Sequence, residues 1–142
     1  MEKGSDIVKY ISGIHALNLN CNLETCGDWH QSAIQWDAPY IKDTNNSVFG
    51  EYGLEFKKSI PEHTGDFVTA NHIRALLDML DDGQFSYAQG MRDNYICNDN
   101  YTNEIFHNVV KLRNNQNWNK IDSFMEKEYK VRWLLFKKGI DL

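Results

Sequence analysis

Two hydrophobic periodicities divide the chain near Pro61. Before it, apolar residues recur every second position. Across residues 51–60, Tyr52, Leu54, Phe56 and Ile60 share one side, opposite Glu51, Glu55, Lys57 and Ser59. That alternation predicts a half-buried strand. Residues 30–36 alternate too, with His30, Ser32, Ile34 and Trp36 on one side. Residues 7–17 are rich in β-branched and aromatic side chains, which predicts a third strand with a bulge at Gly13. A polar loop, Asp43-Thr44-Asn45-Asn46-Ser47, separates the second strand from the strand at 51–60.

After Pro61 the period becomes helical. Ile73, Leu76, Leu77 and Leu80 form a stripe at i, i+3, i+4 and i+7, and Gly83 supplies a left-handed stop. A second helix is expected over about residues 101–113, with Ile105, Val109 and Leu112 inward. A third, over about 118–138, would carry Ile121, Phe124, Met125, Val131 and Leu135. Residues 84–98 read as a short helix followed by a loop. The expected fold is α+β: a small antiparallel sheet from the N-terminal half packed against three or more helices from the C-terminal half. Trp36, Leu54, Phe56, Ile73, Leu77, Ile105, Val109, Phe124 and Leu135 are expected to be buried together.

Composition changes this picture little. The 142 residues, 42% hydrophobic and 25% charged, fit one domain over 1–142 with a core of its own. No stretch approaches the ~20 apolar residues that span a bilayer, and the polar start argues against a secretory signal. Three cysteines, Cys21, Cys26 and Cys97, make an odd count. Together these point to a cytoplasmic protein with reduced thiols. Fifteen Asn, and eleven Lys against four Arg, fit a low-GC genome, bacterial or phage.

The densest chemistry lies between His15 and His30, spaced His-x5-Cys-x4-Cys-x3-His through Cys21 and Cys26. Two thiolates and two imidazoles are a ligand set for tetrahedral zinc. The competing reading is a small core cysteine and hydrogen-bonded histidines, without a metal. A catalytic reading groups Asp28, His30 and a cysteine as orienter, base and nucleophile, with His63, His72 and His107 as further bases. No nucleophile elbow, phosphate-binding glycine loop or His-Glu-x-x-His accompanies them.

Tyr10-Ile11-Ser12-Gly13-Ile14-His15-Ala16-Leu17-Asn18, followed by Thr25-Cys26-Gly27-Asp28-Trp29-His30, resembles the start of a group of small bacterial or phage proteins with no established activity. The likeness continues through the stretch 70–78. It implies a small accessory protein, of the kind common at defence and toxin–antitoxin loci, and carries no site residue with it.

The net charge of -5 is unevenly spread: -3 over residues 1–60, -6 over 61–104 and +4 over 105–142. Acidity overall disfavours direct nucleic-acid binding, although Trp118, Tyr129 and Trp133 interleave with basic residues as base-stacking side chains would. An acidic face that includes Asp78, Asp81 and Asp82 would attract a basic protein partner. Asp28 and Trp29 are candidate contacts beside it, and surplus aromatics would serve as anchors. Self-association through faces of opposite sign is a second use of the same polarity. The expected function is therefore a non-enzymatic, cytoplasmic protein-binding accessory factor, such as an antitoxin or an inhibitor of a nucleic-acid-handling effector. The alternative is a small enzyme or zinc-binding domain that uses the segment from His15 to His30.

Overall fold

A computed structural model describes residues 7–28, 39–45 and 47–142. The expected strand over 30–36, with Trp36, lies outside them, as do Trp29 and His30. Four strands form one sheet in the order β2-β1-β4-β3, where β1 is Lys9–Ile11, β2 Ile41–Asp43, β3 Leu54–Ser59 and β4 Asp66–Ala70.

The sheet is mixed. β1–β2 and β3–β4 pair antiparallel, but the two central strands, β1 and β4, run parallel. The wholly antiparallel expectation is corrected for a topological reason: alternation reports which face is buried and says nothing of a neighbour's direction. Parallel neighbours need a long connection, and here everything from α1 (Gly13–Leu17) to β3 lies between them. The expected first strand is likewise shorter. It ends at Ile11, and Gly13 opens α1 rather than marking a bulge, with φ of +59° and the Tyr40 ring too close for a Cβ. In β3 the ladder slips between Glu55 and Lys58 at Lys57, whose φ is +56°. That slip leaves Phe56 49% exposed and outside the expected core.

β4 leads directly into α2 (His72–Asp81), the central helix. Asn71 caps it, its side chain accepting the Arg74 backbone N–H at 2.8 Å. Every α2 residue from His72 to Leu80 is buried, which is more than one apolar stripe requires. The charged members, Arg74 and Asp78, form a buried pair at 3.1 Å. Asp78 also accepts from Tyr10 Oη at 2.8 Å and Ser12 Oγ at 2.7 Å. Arg74 donates to the Gly50 and Tyr52 carbonyls. One side-chain cluster thus ties α2 to β1, to the start of α1 and to the turns before β3.

Beyond α2 come α3 (Phe85–Ala88), a π-helical turn at Arg92–Ile96, α4 (Thr102–Val109), α5 (Trp118–Tyr129) and α6 (Val131–Gly139). The last two replace the single long helix expected from periodicity. Lys130, with φ of +57°, breaks the helix so that Trp133 and Phe136 fold back onto Phe106, ring centroids 5.1 Å away in each case. The break resets the helical phase, so Leu135 is 62% exposed rather than buried. Ile73, Leu77, Ile105, Val109 and Phe124 do share one core, and Leu54 is half-buried against it. Trp133, Tyr95 and Tyr129 are core residues, so neither interface anchoring nor base stacking is open to them. No helix among the described residues is long and apolar enough to cross a membrane.

Candidate functional site

The loop from α1 to residue 28 is fixed from several sides. Asn22 N–H reaches Glu55 Oε2 at 2.6 Å, and Glu24 N–H reaches Tyr101 Oη at 2.9 Å. Gly27 N–H donates to the Tyr95 carbonyl at 3.0 Å, and Lys58 donates to the Asn20 carbonyl. A disulfide between Cys26 and Cys97, with Cα atoms 6.0 Å apart, closes this loop onto the end of the π-helical turn. The expectation that all three thiols stay reduced is therefore corrected. The count is odd because one cysteine is left over, and the cysteine argument for a reducing compartment falls with the pairing.

Of the expected zinc ligands, Cys26 spends its sulfur on that disulfide. His15 is buried in α1, where Nδ1 accepts the Tyr40 backbone N–H at 3.2 Å. His30 lies outside the described residues. Cys21, the free cysteine, turns instead toward Thr25, with Sγ 3.4 Å from Oγ1. Thr25 Oγ1 is 2.6 Å from Nδ1 of His72, whose Nε2 is 2.7 Å from the Leu19 carbonyl oxygen. Burial pushes the Cys21 thiol up, but hydrogen bonding with His72 and Thr25 outweighs it and brings the thiol down to about 7. Burial pulls the His72 ring down, yet its bonds to Cys21 and the Leu19 carbonyl leave it raised. The zinc spacing groups Cys21 with His15 and His30, and the catalytic reading offers His72 only as one of several further bases. His72 is 51 positions away, and only the β4–α2 junction carries it to the loop.

The acidic residues also sit differently from expectation. Asp78 is fully buried and cannot meet a partner, because its carboxylate neutralises Arg74 within the core. Asp81 accepts from Asn115 at 2.6 Å. Burial raises its carboxyl above the ordinary range, against the pull of Lys42. Asp82 is exposed but paired with Lys42 at 2.8 Å and bonded by Tyr40 Oη. Asp28 is half-buried, its backbone N–H donating to the Leu17 carbonyl. A cleft of about 720 Å³ lies over Lys42, Asp43, Asp81 and Asp82; Lys42 pairs with Asp82, and the cleft keeps an excess of carboxylates.

A surface of opposite sign lies along α5. A cleft of about 490 Å³ runs between α3 and α5, with Phe85 and Phe124 as apolar lining and Lys120 and Lys127 beside it. A second, of about 450 Å³, lies between α5 and α6 over Val131 and Leu134, with Lys127, Lys130 and Glu126. Ser123 and Lys127 line both, so the two adjoin along α5. Lys120, Lys127 and Lys130 have no carboxylate partner among the described residues. Glu128, on the same helix, is committed to the backbone N–H groups of Gly90 and Arg92. The sequence signal for this groove is the +4 charge of the last segment, which reads equally well as a solvated helix face.

No protein-family model matches the chain, and no curated protein or solved structure is significantly similar to it.

Proposed function

We propose that this chain is a non-enzymatic protein-binding accessory factor, of the kind an antitoxin or effector inhibitor would be, whose partner docks in the groove along α5. The observation that carries this reading is the pairing of an apolar lining with three lysines that have no carboxylate partner among the described residues, against Glu126 and Glu128, in two adjoining clefts along α5. Charged rims steer association, and apolar pockets retain what arrives. The complementary surface is an acidic, amphipathic segment. Residues 119 to 130 span roughly 16 Å at 1.5 Å per residue. A partner helix of about three turns, apolar on one side and Asp/Glu-rich at its edges, matches that length. This reading places the partner on a basic surface rather than the acidic one expected from the sequence, since Asp78 is buried, Asp82 is paired with Lys42 and Asp81 is bonded by Asn115.

The test is selection from a displayed peptide library on the intact protein, with counter-selection on a Lys120→Glu/Lys127→Glu/Lys130→Glu variant. Enriched peptides should carry acidic residues around an i, i+3, i+4 apolar stripe. They should bind the variant at least tenfold more weakly, and their association should slow as salt rises. Peptides without that pattern, or with equal affinity for the variant, would refute the proposal.

A further inference from the structure

Protein binding leaves one cluster unexplained: Cys21, Thr25 and His72. The Leu19 carbonyl can only accept, so Nε2 of His72 must carry a proton in either charge state of the ring. In the neutral ring, Nδ1 is then a lone pair and accepts from the Thr25 hydroxyl. Thr25 Oγ1 in turn accepts from the Cys21 S–H. Handing one proton along this chain leaves a thiolate at Cys21, a hydroxyl that donates to it, and an imidazolium whose two N–H groups both keep partners. Neither end of the transfer strands a buried polar atom.

The surroundings hold this alignment. His72 is buried at the first position of α2. Gly27, with φ of +73°, lies so close to the ring that a Cβ would come within 3.0 Å of Cε1. The amino end of a helix favours a thiolate and opposes an imidazolium. Glu55 on β3, itself paired with Lys58 at 2.8 Å, offsets that opposition at His72. Cys21 itself is half-buried, so part of it faces solvent.

We infer that Cys21 is a site of covalent thiol–disulfide exchange with low-molecular-weight disulfides, activated by proton transfer through Thr25 to His72. The Cys21 thiolate attacks one sulfur of the incoming disulfide, forming a mixed disulfide at Cys21. The other half leaves as a thiolate and takes up the proton held by His72. Cys21 is oxidised, the small disulfide is reduced, and no further reagent is needed.

The relay predicts a thiol near 7 rather than the free-cysteine value of about 8.5. At pH 7 this raises the thiolate fraction roughly sixteenfold, while lower intrinsic nucleophilicity takes back about fivefold, so the net gain is only about threefold. The pH midpoint is therefore the sharper readout. The experiment reacts the unreduced protein with an aromatic disulfide and with glutathione disulfide from pH 5 to pH 10, following rate and mapping adducts by mass spectrometry. The expected result is a Cys21 adduct, an intact Cys26–Cys97 bond and a midpoint near 7. His72→Gln and Thr25→Val should move the midpoint up by about one unit or more, while Thr25→Ser should preserve it. A wild-type midpoint near 8.5, or adducts at Cys26 or Cys97 in place of Cys21, would overturn the inference without any variant. An unshifted midpoint in folded His72→Gln would overturn the relay.

Discussion

Removing the Asp78 carboxylate should be among the costliest single changes in this molecule. Asp78→Ala deletes three bonds at once, to Arg74 Nε at 3.1 Å, Tyr10 Oη at 2.8 Å and Ser12 Oγ at 2.7 Å. Both members of the ion pair are fully buried. The guanidinium would keep the Gly50 and Tyr52 carbonyls, the Ser47 hydroxyl and the faces of Tyr10 and Phe49. None of these carries a negative charge. Breaking a buried pair from one side costs about 3–5 kcal/mol, since the remaining guanidinium neither loses its proton nor reaches water. With a urea dependence of about 2 kcal/mol per molar, the midpoint should fall by roughly 1.5–2.5 M. The assay is equilibrium urea unfolding followed by far-UV circular dichroism. The double variant Arg74→Met/Asp78→Leu should recover a large part of the loss, because it removes the stranded charge together with its partner. A fall below about 0.5 M for Asp78→Ala, or no recovery in the double variant, would refute the claim that an uncompensated charge sets the cost.

Three further outcomes can be checked on the same protein. Leu77→Ala should cost about 2–5 kcal/mol, as for a fully buried leucine, whereas Leu135→Ala should change stability by less than about 0.5 kcal/mol; urea midpoints compare them. Replacing Cys97 by Ser should cost roughly 4 kcal/mol on the chain-entropy account of a loop with its ends 71 residues apart, measured against wild type with and without reductant. Stability should also fall as pH rises past about 10, the ordinary phenol value. Burial, reinforced by a bonded carboxylate, holds Tyr10, Tyr40 and Tyr52 above that value when folded. The unfolded chain therefore loses these protons first, and the stability present below pH 10 drains away through the alkaline range; native absorbance at 295 nm should show the three resisting ionisation.

Local pattern was enough for some of this architecture. The stripe of Ile73, Leu76, Leu77 and Leu80 defines α2, because its period follows from backbone geometry alone. The alternation through Leu54 locates β3 but not its buried face, since the ladder slips at Lys57 and leaves Phe56 exposed. A strand-rich N-terminal half and a helical C-terminal half are likewise legible, but β4 (Asp66–Ala70), a central strand, lies past the change of period at Pro61, where no strand is expected. Other features depend on contacts between residues far apart in sequence. Asp78 reads as one of several surface carboxylates until Arg74, Tyr10 and Ser12 enclose it. The break at Lys130 leaves no mark in the apolar pattern. Past it, Trp133 and Phe136 lie against Phe106. The cysteine-rich segment announced its chemistry but not its pairing. Cys26 closes onto Cys97, and Cys21 meets His72 through Thr25, because folding, not spacing, brings β4, α2 and the π-helical turn to one loop. Residue types and their periods are intensive properties of a short window of sequence, whereas charge compensation, disulfide choice and proton paths are set by distances that exist only once the core has formed.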